Sequence, residues 1–191
     1  MKLPFYFFRE VIPSFLIGLF LLTGCGESQP QEPDRERRKS PIAIAQTTHE
    51  PSNTYIKIVY GQPYKNGRQI FGELVPYNEV WRTGANEATE LTTTRDVTFA
   101  DKLLEAGTYA LFSIPKENGN WTIILNSKLG QWGAFDYNSA HDVLRVNVPS
   151  QYTEKVTEAF TIRFADIQED STNIIMEWDQ TEVRIPVEFS N

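Results

Sequence analysis

Apolar residues recur at every second position over several short stretches of the chain. The first of these stretches holds Ile56, Ile58 and Tyr60, a spacing that places alternate side chains on one face of a β-strand. No window carries a long apolar stripe of helical period, and the best helical candidate, residues 151–158, is short. The pattern predicts an all-β chain, with a single antiparallel β-sandwich or jelly-roll-like domain over residues 53–191.

Turn residues divide this region into roughly eight to ten strands spaced about ten residues apart. Asn118-Gly119 marks a hairpin, because both residues tolerate the positive φ that tight turns require. Trp121 and Trp178 lie within strand patterns, so we expect both to be core residues. The main predicted strands are 56–60, 90–94, 97–99, 108–114, 121–125, 143–148, 159–164, 173–178 and 182–187.

The first 24 residues have the layout of a secretory signal peptide. Lys2 and Arg9 supply positive charge, and residues 11–22 form an apolar run that is shorter than the roughly 20 residues a membrane-spanning helix needs. The run ends in Leu22-Thr23-Gly24-Cys25, which matches the bacterial lipobox. Cys25 is the only cysteine of the chain. We therefore expect cleavage before Cys25 and attachment of a lipid to its thiol.

Two or three acyl chains on Cys25 would anchor the protein stably, because each buried methylene contributes about 0.8 kcal/mol. The residue after the cysteine is Gly26 rather than the Asp that retains enterobacterial lipoproteins at the inner membrane. This favours the outer membrane. We predict a palmitate-type lipoprotein of the bacterial cell envelope, whose membrane face and oligomeric state the sequence leaves open.

The segment after the lipobox is polar, proline-containing and charged, which is typical of a flexible linker. Residues 25–52 are therefore predicted to be the lipidated N-terminus and linker, with a reach of roughly 30 Å. Residues 42–45 either form a first strand or dock on the domain, and the pattern leaves this open. His49 falls in the predicted linker and receives no functional weight.

Composition narrows the classes of function. The formal net charge is −7, which argues against nucleic acid as a partner, because phosphates require a basic face. His141 is the only histidine of the predicted domain, so no zinc ligand set is available and we predict no metal or cofactor. No P-loop, dinucleotide fingerprint or nucleophile elbow is present.

One stretch is more distinctive than simple alternation. It contains Tyr60-Gly61-Gln62-Pro63-Tyr64 and then Trp81-Arg82-Thr83-Gly84-Ala85-Asn86-Glu87-Ala88-Thr89. With Ser113-Ile114-Pro115 and Trp132-Gly133, this resembles the domain of unknown function 2911 family, common in Bacteroidetes and related bacteria, over residues 53–187. The resemblance implies export and a β-rich domain, and it lends no established activity. Gln62 stands where the family pattern has Arg, which weakens the case for an anionic ligand at that loop.

The loop from Arg82 to Glu87 is the best candidate for a binding site. Arg82, Asn86 and Glu87 offer planar donors and acceptors that suit sugar hydroxyls or carboxylates. In the alternative interpretation, Arg82 pairs with Glu87 and Asn86 satisfies loop backbone groups. Trp132 and Tyr137 are the candidate aromatic residues for stacking on a sugar.

We expect a non-catalytic, membrane-anchored protein whose β-domain binds a glycan or an envelope protein. One alternative is a polysaccharide hydrolase that uses carboxylates such as Glu87 and Asp142, which must lie about 5–9.5 Å apart in a cleft. The other is a purely structural envelope protein, for which we expect no concave pocket near Arg82.

Overall fold

The structure, a computed structural model, describes residues 38–190, and this part of the chain is all-β apart from one turn of 3-10 helix at Ser139–His141. The predicted fold class is confirmed. Cys25 and the predicted signal peptide lie outside the described residues. Within residues 38–190, no helix has the length and apolar character that crossing a bilayer requires. The strands are β1 (Ile42–His49), β2 (Thr54–Gly61), β3 (Thr89–Thr93), β4 (Val97–Phe99), β5 (Lys102–Leu104), β6 (Gly107–Ile114), β7 (Asn120–Asn126), β8 (Asp142–Phe164) and β9 (Ser171–Phe189).

The nine strands form one antiparallel sheet in the order β1-β2-β3-β6-β7-β8-β9-β4-β5. The first part of β8 pairs with β7 up to Pro149, and the remainder pairs with β9 from Ser150 onward. The register of β8 shifts on either side of Thr157, and such irregularities bend a strand and increase its twist. One sheet thereby folds over itself into the two layers of a sandwich.

The pattern predicted four short strands where the structure has the two long strands β8 and β9. The predicted break in β8 falls where its pairing with β9 is irregular on both sides of Thr157, but the strand itself continues to Phe164. Residues 151–158, the best helical candidate, belong to β8.

The predicted linker boundary at residue 52 is wrong, because the sheet begins at Ile42. All of β1 pairs with β2, from Ile42 opposite Gly61 to His49 opposite Thr54. His49 is therefore not a linker residue. Its ring is buried and stacks on Phe189 with the centroids 4.4 Å apart. Residues 42–45, which the sequence left open, form the first half of β1.

One apolar cluster lies between the two layers and includes residues from both. Trp121 and Trp178 belong to this cluster, as expected. β6 is buried on both faces, because Phe112 and Ala110 face a second, small cluster on the outside of the sheet. Tyr137 packs on that cluster, so the segment between β7 and β8 covers the outer face of β6.

Candidate functional site

The segment between β2 and β3, residues 62–88, runs through no named strand. It forms single bridges with both parts of the sheet, Tyr64 with Ala159 in β8 and Trp81 with Ser113 in β6. Ile70 in the middle of the segment is fully buried. Segments of this length without regular structure are uncommon in compact domains and are usually functional. We call residues 62–88 the long loop.

The part of the long loop that carries Arg82 has an unusual backbone. Thr83 has a φ of 53° and Asn86 a φ of 66°. The left-handed region is rare for a β-branched residue and costs about 1–3 kcal/mol. A buried hydroxyl network stabilises it: Thr83 Oγ1 donates to Ser113 Oγ at 3.0 Å, and Thr89 Oγ1 donates to the Thr83 carbonyl at 2.7 Å. The backbone on both sides of Arg82 is thereby held in one conformation.

A close backbone contact holds the same part of the loop against the end of β2. The Ala85 N–H donates to the Gly61 carbonyl at 3.1 Å. A Cβ on Gly61 would lie only 2.0 Å from the Ala85 oxygen. Glycine is therefore required at position 61 for the loop to approach the strand this closely.

Two cavities adjoin the side chain of Arg82. The first has a volume of about 330 Å³ and is also lined by Trp81 and Asn86. The second, of about 380 Å³, shares Trp81 and Arg82 with the first and extends to Phe135. These volumes lie at the small end of the range for ligand pockets. Each has room for a small ligand, and the pair has room for an extended one.

Arg82 is half-buried and has no ion pair or side-chain hydrogen bond among residues 38–190. Its Nε is shielded from solvent and has no partner. Burial lowers the pKa of the guanidinium, which nevertheless stays charged at neutral pH. Buried charges are normally paired, so the bare guanidinium is the most notable polar group of the cavities.

Aromatic rings form the floor of the first cavity. The indoles of Trp81 and Trp178 stack with their centroids 5.9 Å apart and an interplanar angle of 18°. Their Nε1 atoms donate to backbone carbonyls of Gly84 and Glu158, respectively. Tyr64 adds a more exposed ring to the lining. Both indoles are almost entirely buried, Trp81 at 7% exposure and Trp178 at 2%, so the ring that a ligand of this cavity can reach is that of Tyr64.

The structure brings together two of the predicted site residues, Arg82 and Asn86, which line the first cavity. Glu87 does not pair with Arg82. It pairs with Arg38, whose Nη1 donates to Glu87 Oε1 at 3.0 Å. This hydrogen bond holds the pKa of the Glu87 carboxyl below its ordinary value. Glu87 instead lines a separate cavity beside β1 and β2.

The two predicted aromatic residues lie outside the cavities of Arg82. Trp132 bridges to Glu87 through its backbone, and its side chain is 59% exposed. Tyr137 packs edge-on against Phe112. Its hydroxyl donates to Asp142 Oδ2 at 2.7 Å, and burial together with this carboxylate raises the pKa of Tyr137 to about 12. The contacts of Tyr137 are those of a residue that attaches a loop to the sheet.

The carboxylates named for the hydrolase alternative also have other partners. Asp142 accepts hydrogen bonds from Tyr137 and from Asn126 Nδ2, the latter at 2.9 Å. Neither Asp142 nor Glu87 lines the cavities next to Arg82. Among residues 38–190, no three His, Cys, Asp or Glu side chains group closely enough to hold a metal ion.

The cavity residues that the sequence did not single out as site residues include Lys39, Tyr64, Arg68 and Phe135. Phe135 is the most exposed large apolar residue within residues 38–190, at 86%. The only signal for it was its place in a short Gly-Ala-Phe segment next to Trp132. Lys39 belonged to the predicted linker, and nothing in a linear pattern indicates that it reaches the long loop.

Comparison with known proteins identifies a family. Residues 40–187 match the family model described as "Protein of unknown function (DUF2911)". No curated protein and no solved structure matches the chain. The match extends from just before β1 almost to the end of β9, so it includes the long loop and the whole sheet. The chain therefore belongs to the DUF2911 family of proteins of unknown function.

Proposed function

We propose that this protein is a non-catalytic lipoprotein of the bacterial cell envelope whose β-domain binds a glycan in the two cavities beside Arg82. The observation that carries the proposal is the combination of ring surface and unused planar donors in these cavities. Tyr64 in the first cavity and Phe135 in the second provide the exposed rings. Arg82 and Asn86 make no side-chain hydrogen bond within residues 38–190, and such groups match the hydroxyls of a sugar.

The shape of the site agrees with a chain-like ligand. The cavities adjoin along Leu74, Val75, Trp81 and Arg82, so a ligand of several sugar units can occupy both. A concave pocket next to Arg82 is not what a purely structural envelope protein requires. A hydrolase has less support, because the Asp142 carboxylate is committed to Tyr137 and Asn126.

Phe135 and Trp132 offer a matched test of where the ligand lies. Both are exposed aromatic residues of one loop, but only Phe135 lines a cavity of Arg82. We expect Phe135→Ala to remove a contact of about 1 kcal/mol, roughly a fivefold rise in Kd. Trp132→Ala should leave Kd within twofold. The measurement is calorimetric titration of the full-length chain in detergent micelles with a panel of cell-wall and plant oligosaccharides.

Two results would contradict the proposed site. If no oligosaccharide of the panel binds, the protein is not a glycan-binding protein of this kind. If Trp132→Ala weakens binding as much as Phe135→Ala, the ligand does not occupy the cavities of Arg82.

The lipid anchor has its own test. The anchor rests on the lipobox that ends at Cys25. Cells grown with an alkyne analogue of palmitate should label the wild-type protein but not the variant Cys25→Ser. The wild type should also sediment with the outer-membrane fraction of the envelope. An unlabelled wild-type protein would refute lipidation.

A further inference from the structure

Every charged residue of the described chain that lines the first cavity is positive. Lys39, Arg68 and Arg82 contribute to its lining, and no Asp or Glu of the described chain does. The chain as a whole is acidic, with 25 carboxylate residues and 18 lysines and arginines. Three positively charged side chains around one small cavity therefore contrast with the net negative charge of the chain.

These three cations have no carboxylate partner among residues 38–190, whereas several other basic residues do. Lys65 pairs with Asp179, and Arg163 pairs with Glu177. Arg68 donates to the backbone carbonyls of Lys65 and Tyr64, which orients its guanidinium without neutralising it. Within residues 38–190, no carboxylate therefore cancels the positive charge of the cavity.

Arg82 is the central member of the group. Its Nε is buried without a partner, and a desolvated charge with an empty donor is unfavourable until an anion meets it. The planar fork of a guanidinium matches a carboxylate or a sulfate group with two parallel hydrogen bonds. The backbone that carries Arg82 is already held by the Thr83 network, so little ordering is needed when the anion arrives.

The second cavity differs in charge. Glu79 contributes to its lining and offsets the charge of Arg82, which both cavities share, and the exposed ring of Phe135 lies there as well. An anionic group is favoured in the first cavity and disfavoured beside Glu79, while a neutral sugar ring can pack on Phe135. The two cavities therefore distinguish the two ends of a ligand by charge.

We propose that the ligand is an acidic glycan, in which a carboxylate or sulfate group pairs with Arg82 in the first cavity and a neighbouring neutral sugar lies in the second. Arg68 and Lys39 add positive charge around the anionic group. The inference rests on the proposed glycan-binding function and specifies its ligand class. Arg68 and Arg82, which also belong to the long loop, supply positive charge that Gln62 does not.

The test compares matched acidic and neutral ligands on the full-length wild-type protein. The probes are oligogalacturonate and its methyl ester, and sulfated galactan oligosaccharides with their desulfated forms. We expect at least one acidic probe to bind tenfold or more tightly than its neutral counterpart, and which pair responds identifies the anionic group. Raising NaCl from 50 to 500 mM should weaken only the acidic probe.

Substitutions test whether Arg82 supplies the positive charge that binds the acidic probe. Arg82→Gln keeps planar donors but loses the charge, so it should weaken binding of the acidic probe at least tenfold more than binding of the neutral probe. Arg163→Gln is the matched control, because Arg163 is paired with Glu177 outside the cavity, and both probes should bind it as they bind the wild type. Arg82→Gln should not lower the melting temperature, because no partner within residues 38–190 loses an ion pair.

The outcomes separate the two proposals. Equal affinity for acidic and neutral probes would overturn the acidic ligand but leave glycan binding standing. No binding of any probe would overturn both. A preference for the acidic probe that survives Arg82→Gln would also overturn the inference, because a residue other than Arg82 would then bind the anionic group. The comparison of probes uses the wild type alone, so it holds even if a variant fails to fold.

Discussion

Gly61 is the position where a single methyl group should disturb both the fold and the site. It ends β2, and its backbone lies directly against that of Ala85 in the long loop. The Cβ of an alanine at position 61 would lie 2.0 Å from the Ala85 oxygen, whereas ordinary contact begins at 3.4 Å. Gly61→Ala therefore requires the Ala85 carbonyl to retreat by about 1.4 Å, the difference between these distances.

The size of the effect follows from what this displacement breaks. Forcing a methyl group into a packed site costs about 1–3 kcal/mol. Loss of the hydrogen bond from Ala85 N–H to the Gly61 carbonyl adds about 1 kcal/mol, and the stiffer unfolded chain returns about 0.5 kcal/mol. We expect the free energy of unfolding to fall by about 1.5–3.5 kcal/mol. For a chain of this size the melting temperature should fall by roughly 3–14 °C.

Urea denaturation followed by circular dichroism measures this change. Gly67→Ala is the control: Gly67 has a φ of +69° and nothing within 4 Å of its added Cβ. It should cost only the left-handed strain of alanine, about 1 kcal/mol. Gly61→Ala should also weaken oligosaccharide binding, because Ala85 and Arg82 belong to the same loop. A loss no greater than that of Gly67→Ala would show that close packing at Gly61 does not hold the loop.

Two further predictions concern packing and pH. Trp178→Ala should lower the free energy of unfolding by about 3–5 kcal/mol, because the indole is buried. Trp132→Ala should change it by less than about 0.5 kcal/mol, because that side chain is mostly exposed. Similar losses for the two variants in urea denaturation would contradict the difference in burial between the two side chains. The pKa of Tyr137, raised from 10.0 to about 12, means that its contribution to stability is present below pH 10 and lost as the pH rises to 12. The difference in unfolding free energy between wild type and Tyr137→Phe should therefore shrink over that pH range. A difference that does not depend on pH would show that the hydroxyl of Tyr137 does not hydrogen-bond to Asp142.

The strands that the sequence predicted best are those with one face in the core. In β2, Ile56, Ile58 and Tyr60 are all buried, so hydropathy alone identifies the strand. The sequence left residues 42–45 open and placed the rest of β1 in the linker, because most side chains of this strand, including those of Ile42 and Ile44, are not buried. Backbone hydrogen bonding at a sheet edge leaves little trace in side-chain polarity.

The candidate site was predicted in part. Arg82 and Asn86 stood out as chemistry-bearing residues of one loop, and the structure places both on one cavity. The pairing of Glu87 was not predictable, because its partner Arg38 is 49 residues away in the chain. Phe135 and Arg68 reach the same pair of cavities from different loops, and only folding reveals such proximity.

Local patterns in the sequence determined the strand type of this protein, its family and the loop that carries Arg82, because periodicity and motif are properties of neighbouring residues. Only the tertiary structure decided that one sheet folds on itself at β8 and that Trp132 and Tyr137 lie away from the cavities of Arg82. It also decided that Lys39, Arg68 and Arg82 line one cavity to which no carboxylate of residues 38–190 contributes. Charge balance within a cavity depends on distances between residues far apart in the chain. Those distances are set by strand pairing and by packing between layers, which hydropathy along the chain does not encode.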